Sequence, residues 1–144
     1  MTLYVRQMAW LNATPKPPEG TKRAEAKDRP PALSRIEQMK RDKITPRMPP
    51  NPAPHLITWL VEIGLTEEAG MGRGPISWQS IDAWCNRTSI DLEPWQSRLL
   101  RSLSTEYLAE SRRAESENCP APWRAEVTER EKEVEVARLR MVLG

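Results

Sequence analysis

The sequence predicts an all-α protein: a small three-helix core at about residues 55–110, between a proline-rich N-terminal arm and a charged C-terminal helix. Four of the six tryptophans lie in the core window, namely Trp59, Trp78, Trp84 and Trp95. Ten of the 14 prolines lie in residues 1–54, and proline breaks helices because it lacks a backbone donor and fixes φ. Apolar residues in the core window recur at the three- and four-residue spacing of a helix. We therefore divide the chain into an arm (1–54), a core (55–110), a linker (111–122) and a last helix (123–144).

The arm is basic, and we expect it to be largely disordered. It carries 11 Lys and Arg against 5 Asp and Glu, a net charge of +6, and residues 12–31 hold little that could be buried. Near its start, Tyr4, Met8 and Leu11 lie at helical spacing. This favours a weakly ordered segment that contacts the core or a partner, while an edge strand, a docking peptide and a frayed terminus are the alternatives.

A short helix at residues 34–43 is the one regular element predicted later in the arm. Ser34 and Glu37 fit a capping box, in which each side chain accepts a hydrogen bond from the other residue's backbone N–H. So short a helix is unstable unaided, and we expect it to be transient or docked. Residues 45–54, with five prolines, then predict a semi-rigid extended spacer.

The first core helix is predicted after this spacer. Its buried face follows the i, i+3, i+4, i+7 pattern of an amphipathic helix and comprises Leu56, Trp59, Leu60 and Ile63. Gly64 is suited to end the helix in the left-handed conformation. The glycine-rich residues 65–75 are expected to reverse the chain flexibly, because they lack the preceding strand and the Gly-Lys-Ser/Thr of a phosphate-binding loop.

The second and third core helices are predicted to start at Ser77, a good N-cap, and at Pro94, a good first helical residue. Their buried faces comprise residues at helical spacing: Trp78, Ile81 and Trp84 in the second helix, and Trp95, Leu99, Leu100, Leu103 and Tyr107 in the third. The opposite face of the third helix is expected to be polar and carries Gln96, Arg101, Ser104 and Glu110.

The last helix carries a thin apolar stripe in an otherwise charged sequence, with ion pairs such as Glu126–Arg130 at i, i+4. The stripe comprises Trp123, Val127, Val134, Ala137 and Met141. It fits a solvated helix and a short coiled-coil or docking helix equally well.

The residue content disfavours several function classes. The two cysteines, Cys85 and Cys119, and the single histidine, His55, do not provide the ligand set of a zinc site, so we predict no metal and no cofactor. No nucleophile–base pair and no paired carboxylates form a reaction centre, so we do not expect an enzyme. The core carries 4 basic against 8 acidic residues, which opposes nucleic-acid binding. No apolar run approaches the length of a membrane span.

Two tryptophan-centred motifs stand in the core window. The first reads Gly-Pro-Ile-Ser-Trp at 74–78 and continues to Ile81 and Trp84; the second reads Leu-Glu-Pro-Trp-Gln at 92–96 and leads into a leucine-rich helix that ends Tyr-Leu at 107–108. With these motifs, residues 55–110 resemble small proteins of tailed bacteriophages that are encoded near the tape measure protein and are classed as tail assembly chaperones or tail proteins. Glu93 and Gln96 depart from the usual Thr and Glu, and the arm and last helix are not part of the pattern.

The resemblance implies a non-enzymatic chaperone of the host cytoplasm that binds the tape measure protein or another tail protein. Such a chaperone keeps long apolar helices soluble and is displaced as tail tube subunits polymerise. A structural component of the virion tail and a small helical DNA-binding regulator are the alternatives, and self-association is left open. The candidate partner-binding residues are apolar and lie outside the core: Tyr4, Met8, Trp10, Trp123, Val127, Val134 and Met141.

Overall fold

Seven helices and one very short strand pair make up the fold. The computed structural model describes all residues, 1–144. In chain order the elements are α1 (Thr2–Asn12), α2 (Lys22–Glu25), α3 (Arg35–Arg41), α4 (Pro54–Ile63), β1 (Glu67–Glu68), β2 (Arg73–Gly74), α5 (Trp78–Thr88), α6 (Pro94–Arg113) and α7 (Glu129–Leu143). The mostly helical class that the sequence predicts is therefore confirmed.

Helix α6 is the centre of the fold, and α1, α4 and β2 pack against it, while α5 packs on α4. It is 20 residues long, and its Leu100 and Leu103 are completely buried. The core cluster contains residues of α1, α4, α5 and α6 and one residue of the chain between β2 and α5: Val5, Leu56, Ile57, Leu60, Ile76, Ile81, Leu100 and Leu103. Burying this apolar surface is the main force that holds the helices together.

The three-helix core predicted from the sequence is wrong, because α1 supplies a fourth helix. Of all helix pairs, α1 and α6 make the most extensive contact, and Val5 and Ala9 of α1 are 0% and 1% exposed. Arg6 adds a polar tie: its Nε and Nη2 atoms donate to Oε2 of Glu106 at 2.9 and 2.8 Å. The first residues of the chain thus complete a core whose other helices begin some 50 residues later.

The prediction of a largely disordered arm is also wrong. The arm contains three helices. Lys16 N–H donates to the Glu115 carbonyl at 2.8 Å, which ties the arm to the chain after α6, and Arg35 N–H donates to the Ala13 carbonyl at 3.1 Å within the arm. The Ser34–Glu37 capping box is present at the start of α3. Once α1 is anchored on α6, the chain that follows is held close to the body of the protein, which lowers the entropic cost of ordering it.

Local signals explain where the core helices begin and end. Ser77 caps α5 by accepting a hydrogen bond from Ser80 N–H, and Gln96 Oε1 accepts from Glu93 N–H at 2.9 Å at the start of α6. Gly64 ends α4 with φ +114° and ψ 133°, a conformation that glycine permits but that lies outside the left-handed helical region expected from the sequence.

The glycine-rich segment is a small hairpin and not an irregular reversal. Glu67 pairs with Gly74 and Glu68 with Arg73 in antiparallel register. Gly70 and Gly72 adopt positive φ values of 59° and 134° in the turn between them. The hairpin delivers Ile76 into the core and Ser77 to the start of α5.

Ser104 joins this hairpin segment to α6. Its hydroxyl accepts a hydrogen bond from Ile76 N–H at 2.9 Å and donates to the Leu65 carbonyl at 2.7 Å, and the residue is 0% exposed. The sequence placed Ser104 and Glu110 on the polar face of α6, whereas both are buried. The serine is buried because it pairs the two backbone groups that flank the hairpin.

The residues predicted for the core fall into three groups. Leu56, Leu60, Ile81, Trp84, Leu100 and Leu103 are buried, and Trp59, Ile63, Leu99 and Tyr107 are partly buried against the cluster. Trp78 and Trp95 are exposed, at 46% and 52%. Both occupy the first turn of a helix, where side chains point back towards the N-terminus and no neighbouring helix covers them.

Candidate functional site

An apolar groove opens between α1, α3, α4 and the extended chain that precedes α4. It encloses about 470 Å³, and we call it the methionine groove after Met8 and Met48. Its apolar lining comprises Tyr4, Met8, Leu11, Ile36, Pro46, Met48, Ile57 and Val61. Methionine side chains are flexible and polarizable, which suits a surface that accommodates varied apolar side chains.

The open side of the methionine groove is formed by α4. Val61 is 51% exposed, and Glu62 next to it is the one charged residue in the lining. The floor of the groove is closely packed, since Leu11 and Ile57 are only 3% and 7% exposed. Of the candidate partner-binding residues, Tyr4 and Met8 lie here, and both are half-buried.

A second groove lies between α1 and the segment that joins α6 to α7. It encloses about 550 Å³, and Trp10, Trp123 and Val127 are among its lining residues; we call it the tryptophan groove. The indole N–H of Trp10 donates to the Cys119 carbonyl at 2.9 Å, and the backbone N–H of Trp123 donates to Oε1 of Gln7 at 3.2 Å. Trp10 and Trp123 therefore hold this segment onto α1.

Arg35 reinforces the contact around Trp10. Its guanidinium group lies 4.5 Å from the centre of the Trp10 ring, at cation–π distance. The two terminal nitrogens donate to the carbonyls of Trp10 and Ser116, each at 3.0 Å. Burial lowers the pKa of the Arg35 guanidinium from its ordinary value, but an arginine side chain stays charged at neutral pH. No pattern in the sequence singles out Arg35.

Helix α7 contacts the rest of the protein only lightly. Arg130 Nε donates to the Asp42 carbonyl at 3.0 Å, and Arg138 pairs with the Asp42 carboxylate. The candidate residues Val134 and Met141 face the crevice between α7 and the end of α3, although Met141 is still 83% exposed. The sequence-predicted partner residues are thus spread over three surfaces and do not form one site.

Glu67 in β1 has a lowered pKa because of its hydrogen bonds at the start of α5. Oε2 of Glu67 accepts hydrogen bonds from the hydroxyls of Ser80 and Ser77, at 2.6 and 3.3 Å. The Ser80 hydrogen bond is the main cause that lowers the pKa of the Glu67 carboxyl, and the Ser77 backbone adds to it. The negative charge lies at the start of α5, where it also complements the helix dipole.

A protein-family model described as phage tail assembly chaperone matches residues 15–109, which is 95 of the 144 residues. The chain belongs to this family. The resemblance indicated by the two tryptophan motifs is confirmed, and the match extends it back into the proline-rich arm. No curated protein and no solved structure shows significant similarity to the chain.

The family match covers α2 to α5 and most of α6 of this tail assembly chaperone, and it leaves out α1 and α7. Most of the methionine groove therefore lies in the matched region, while Tyr4, Met8 and Leu11 of its apolar lining come from outside it. The family is not an enzyme family, and no cluster of three His, Cys, Asp or Glu residues is arranged to hold a metal ion. None of the helices is both long and apolar enough to cross a lipid bilayer.

Proposed function

We propose that this tail assembly chaperone binds the tape measure protein of its phage and keeps it soluble in the host cytoplasm until the tail tube forms. The carrying observation is the methionine groove, which is open, apolar and built largely from the matched region of the chain. A groove of this kind suits the apolar face of a helix, whose anchoring side chains recur at i, i+3 or i+4.

The size of the groove fits one short segment of an apolar helix as the ligand. Its volume of about 470 Å³ accommodates a few large aliphatic or aromatic side chains and is at the small end for a ligand pocket. Such a site covers one part of a long apolar helix, so several chaperone molecules would be needed to cover the whole of it. Weak binding at each site would also allow displacement when tube subunits compete for the same helix.

Co-expression with the neighbouring tape measure gene tests the proposal. We expect the chaperone to move the tape measure protein from the pellet into the soluble fraction, and Val61→Glu to abolish the effect, because the added charge would face the apolar ligand. Leu3→Glu is the matched control, since Leu3 is 41% exposed on α1 and does not line the groove. If the unaltered chaperone gave no gain in solubility of the tape measure protein, the proposal would be refuted. If Val61→Glu and Leu3→Glu lost this gain equally, the methionine groove would not be the binding site.

The protein composition of purified phage particles distinguishes a structural role in the virion from chaperone activity. A chaperone is expected to be absent from purified particles analysed by quantitative mass spectrometry. Presence at a fixed number of copies per tail would replace the proposal with a structural one.

A further inference from the structure

The side of α7 that faces away from α3 carries an apolar stripe with no partner in the protein. Val136, Leu139 and Leu143 lie at i, i+3 and i+7, so they share one face of the helix. They are 45%, 53% and 84% exposed. Lys132, four residues before Val136, continues the same line, and spacings of four, three and four are those of a coiled-coil seam.

The charges of α7 are divided between its two halves. Residues 129–135 hold four glutamates against Arg130 and Lys132, a side-chain charge of −2, whereas residues 136–144 hold Arg138 and Arg140 and no acidic side chain, a charge of +2. A helix with this division is complementary to a copy of itself only when the two run antiparallel. A parallel pair would place acidic half against acidic half and Lys132 against Lys132.

We infer that α7 is a self-association surface, and that two copies of this chain pair through it as an antiparallel helix pair. In the register that joins the two seams, Val136 lies opposite Leu139 of the second copy, and the aliphatic stem of Lys132 covers Leu143. Glu133 then flanks Arg140 of the second copy. The twofold axis makes every contact twice, as in other isologous dimers.

Helix α7 is free to make this contact. Its inner side is held to α3 through Asp42, so the outer stripe is turned away from the body of the protein. The helix is 15 residues long, about 22 Å at 1.5 Å per residue, which gives a small interface. The expected dimer is therefore concentration-dependent, with an affinity typical of small interfaces.

This inference does not depend on the proposed function, because it concerns the purified chaperone without any tape measure protein. Sedimentation equilibrium of the full chain over a wide concentration range should give an average mass that rises from monomer to dimer. Leu139→Glu should weaken the dimer by about a hundredfold, because it places a charge in the seam. Met141→Glu, which changes an equally apolar and more exposed residue on the inner side, should leave the dimer unchanged.

Charge reversal tests the antiparallel orientation. Glu133→Arg and Arg140→Glu should each weaken the dimer about tenfold, and the double variant Glu133→Arg/Arg140→Glu should restore it, with circular dichroism confirming equal helix content. A monomer at every concentration would overturn the inference, and so would equal effects of Leu139→Glu and Met141→Glu. A dimer that the double variant does not restore would overturn the antiparallel orientation.

Discussion

Replacing Ser104 by alanine should destabilise this chaperone far more than the loss of one hydroxyl group suggests. The hydroxyl pairs two backbone groups at once, the N–H of Ile76 at 2.9 Å and the carbonyl of Leu65 at 2.7 Å. Ser104 and Ile76 are 0% and 1% exposed, so water does not readily replace the lost hydroxyl.

The expected magnitude follows from the two orphaned groups. Leaving one buried donor or acceptor without a partner costs about 1–3 kcal/mol. The Leu65 carbonyl is the less buried of the two, so we expect Ser104→Ala to lower the free energy of unfolding by about 2–4 kcal/mol. For a domain whose total stability is of the order of 5–15 kcal/mol, this is a large fraction.

Urea denaturation followed by tryptophan fluorescence measures this change, and Ser102→Ala is the matched control. Ser102 lies two residues earlier in α6 and is exposed, so its replacement should change stability by no more than about 0.5 kcal/mol. If Ser104→Ala behaved like Ser102→Ala, the hydroxyl would not be the tie that holds the hairpin segment on α6, and the reasoning would fail.

Two further predictions concern Glu67 and the tryptophans. The pKa of the Glu67 carboxyl is lowered below its ordinary 4.5 in the folded state, so its contribution to stability is present above that value and is lost as the pH falls through the folded pKa. Glu67→Gln should therefore flatten the decline in unfolding free energy between about pH 5 and about pH 3. An unchanged slope in this variant would contradict the reasoning. Trp84→Ala should cost about 3–5 kcal/mol, since Trp84 is 9% exposed and its indole N–H donates to Glu62. Trp95→Ala should cost less than about 1 kcal/mol because Trp95 is 52% exposed, and thermal melts of the two variants should differ accordingly.

The helices of the core region could be predicted because their signals are local. The apolar spacing of Leu56 and Leu60, the N-cap at Ser77 and the proline at position 94 each act within one or two turns. Family membership could be predicted for a similar reason, since the two tryptophan motifs are short and contiguous in sequence.

The role of α1 could not be predicted, because it depends on contacts between residues about 100 positions apart. The apolar cluster of residues 1–11 was recognisable, but Tyr4 and Met8, which the helical spacing selected, line the groove. Val5 and Ala9 are the buried residues of α1, and Val5 belongs to the core cluster with Leu100 and Leu103 of α6. Ten prolines in residues 1–54 predicted an independent arm, although proline limits helix length without preventing the chain from packing on a core.

The exposure of Trp78 and Trp95 shows a second limit of periodicity. A helical repeat assigns a residue to a face, but it does not say how far along the helix that face is covered by a neighbour. The guanidinium of Arg101 lies 5.5 Å from the Trp78 ring centre, and the Trp95 indole N–H donates to Glu93 at 2.7 Å, so each exposed indole has a polar neighbour at the surface. The candidate partner-binding residues were predicted from residue type and local helical spacing, neither of which brings distant segments together, and this explains why they fall on three surfaces.

The packing of the first helix on the sixth has a consequence for synthesis of the chain on the ribosome. Val5 emerges early, yet the residues that cover it, Leu100 and Leu103, are made almost a hundred codons later. Until then the apolar side of α1 is exposed on the nascent chain, and α1 packs on α6 only as translation nears its end. A version that starts at Pro54 would have no cover for the surface of α6 on which α1 packs, so truncations at the start of the gene should reduce yield more than truncations at its other end.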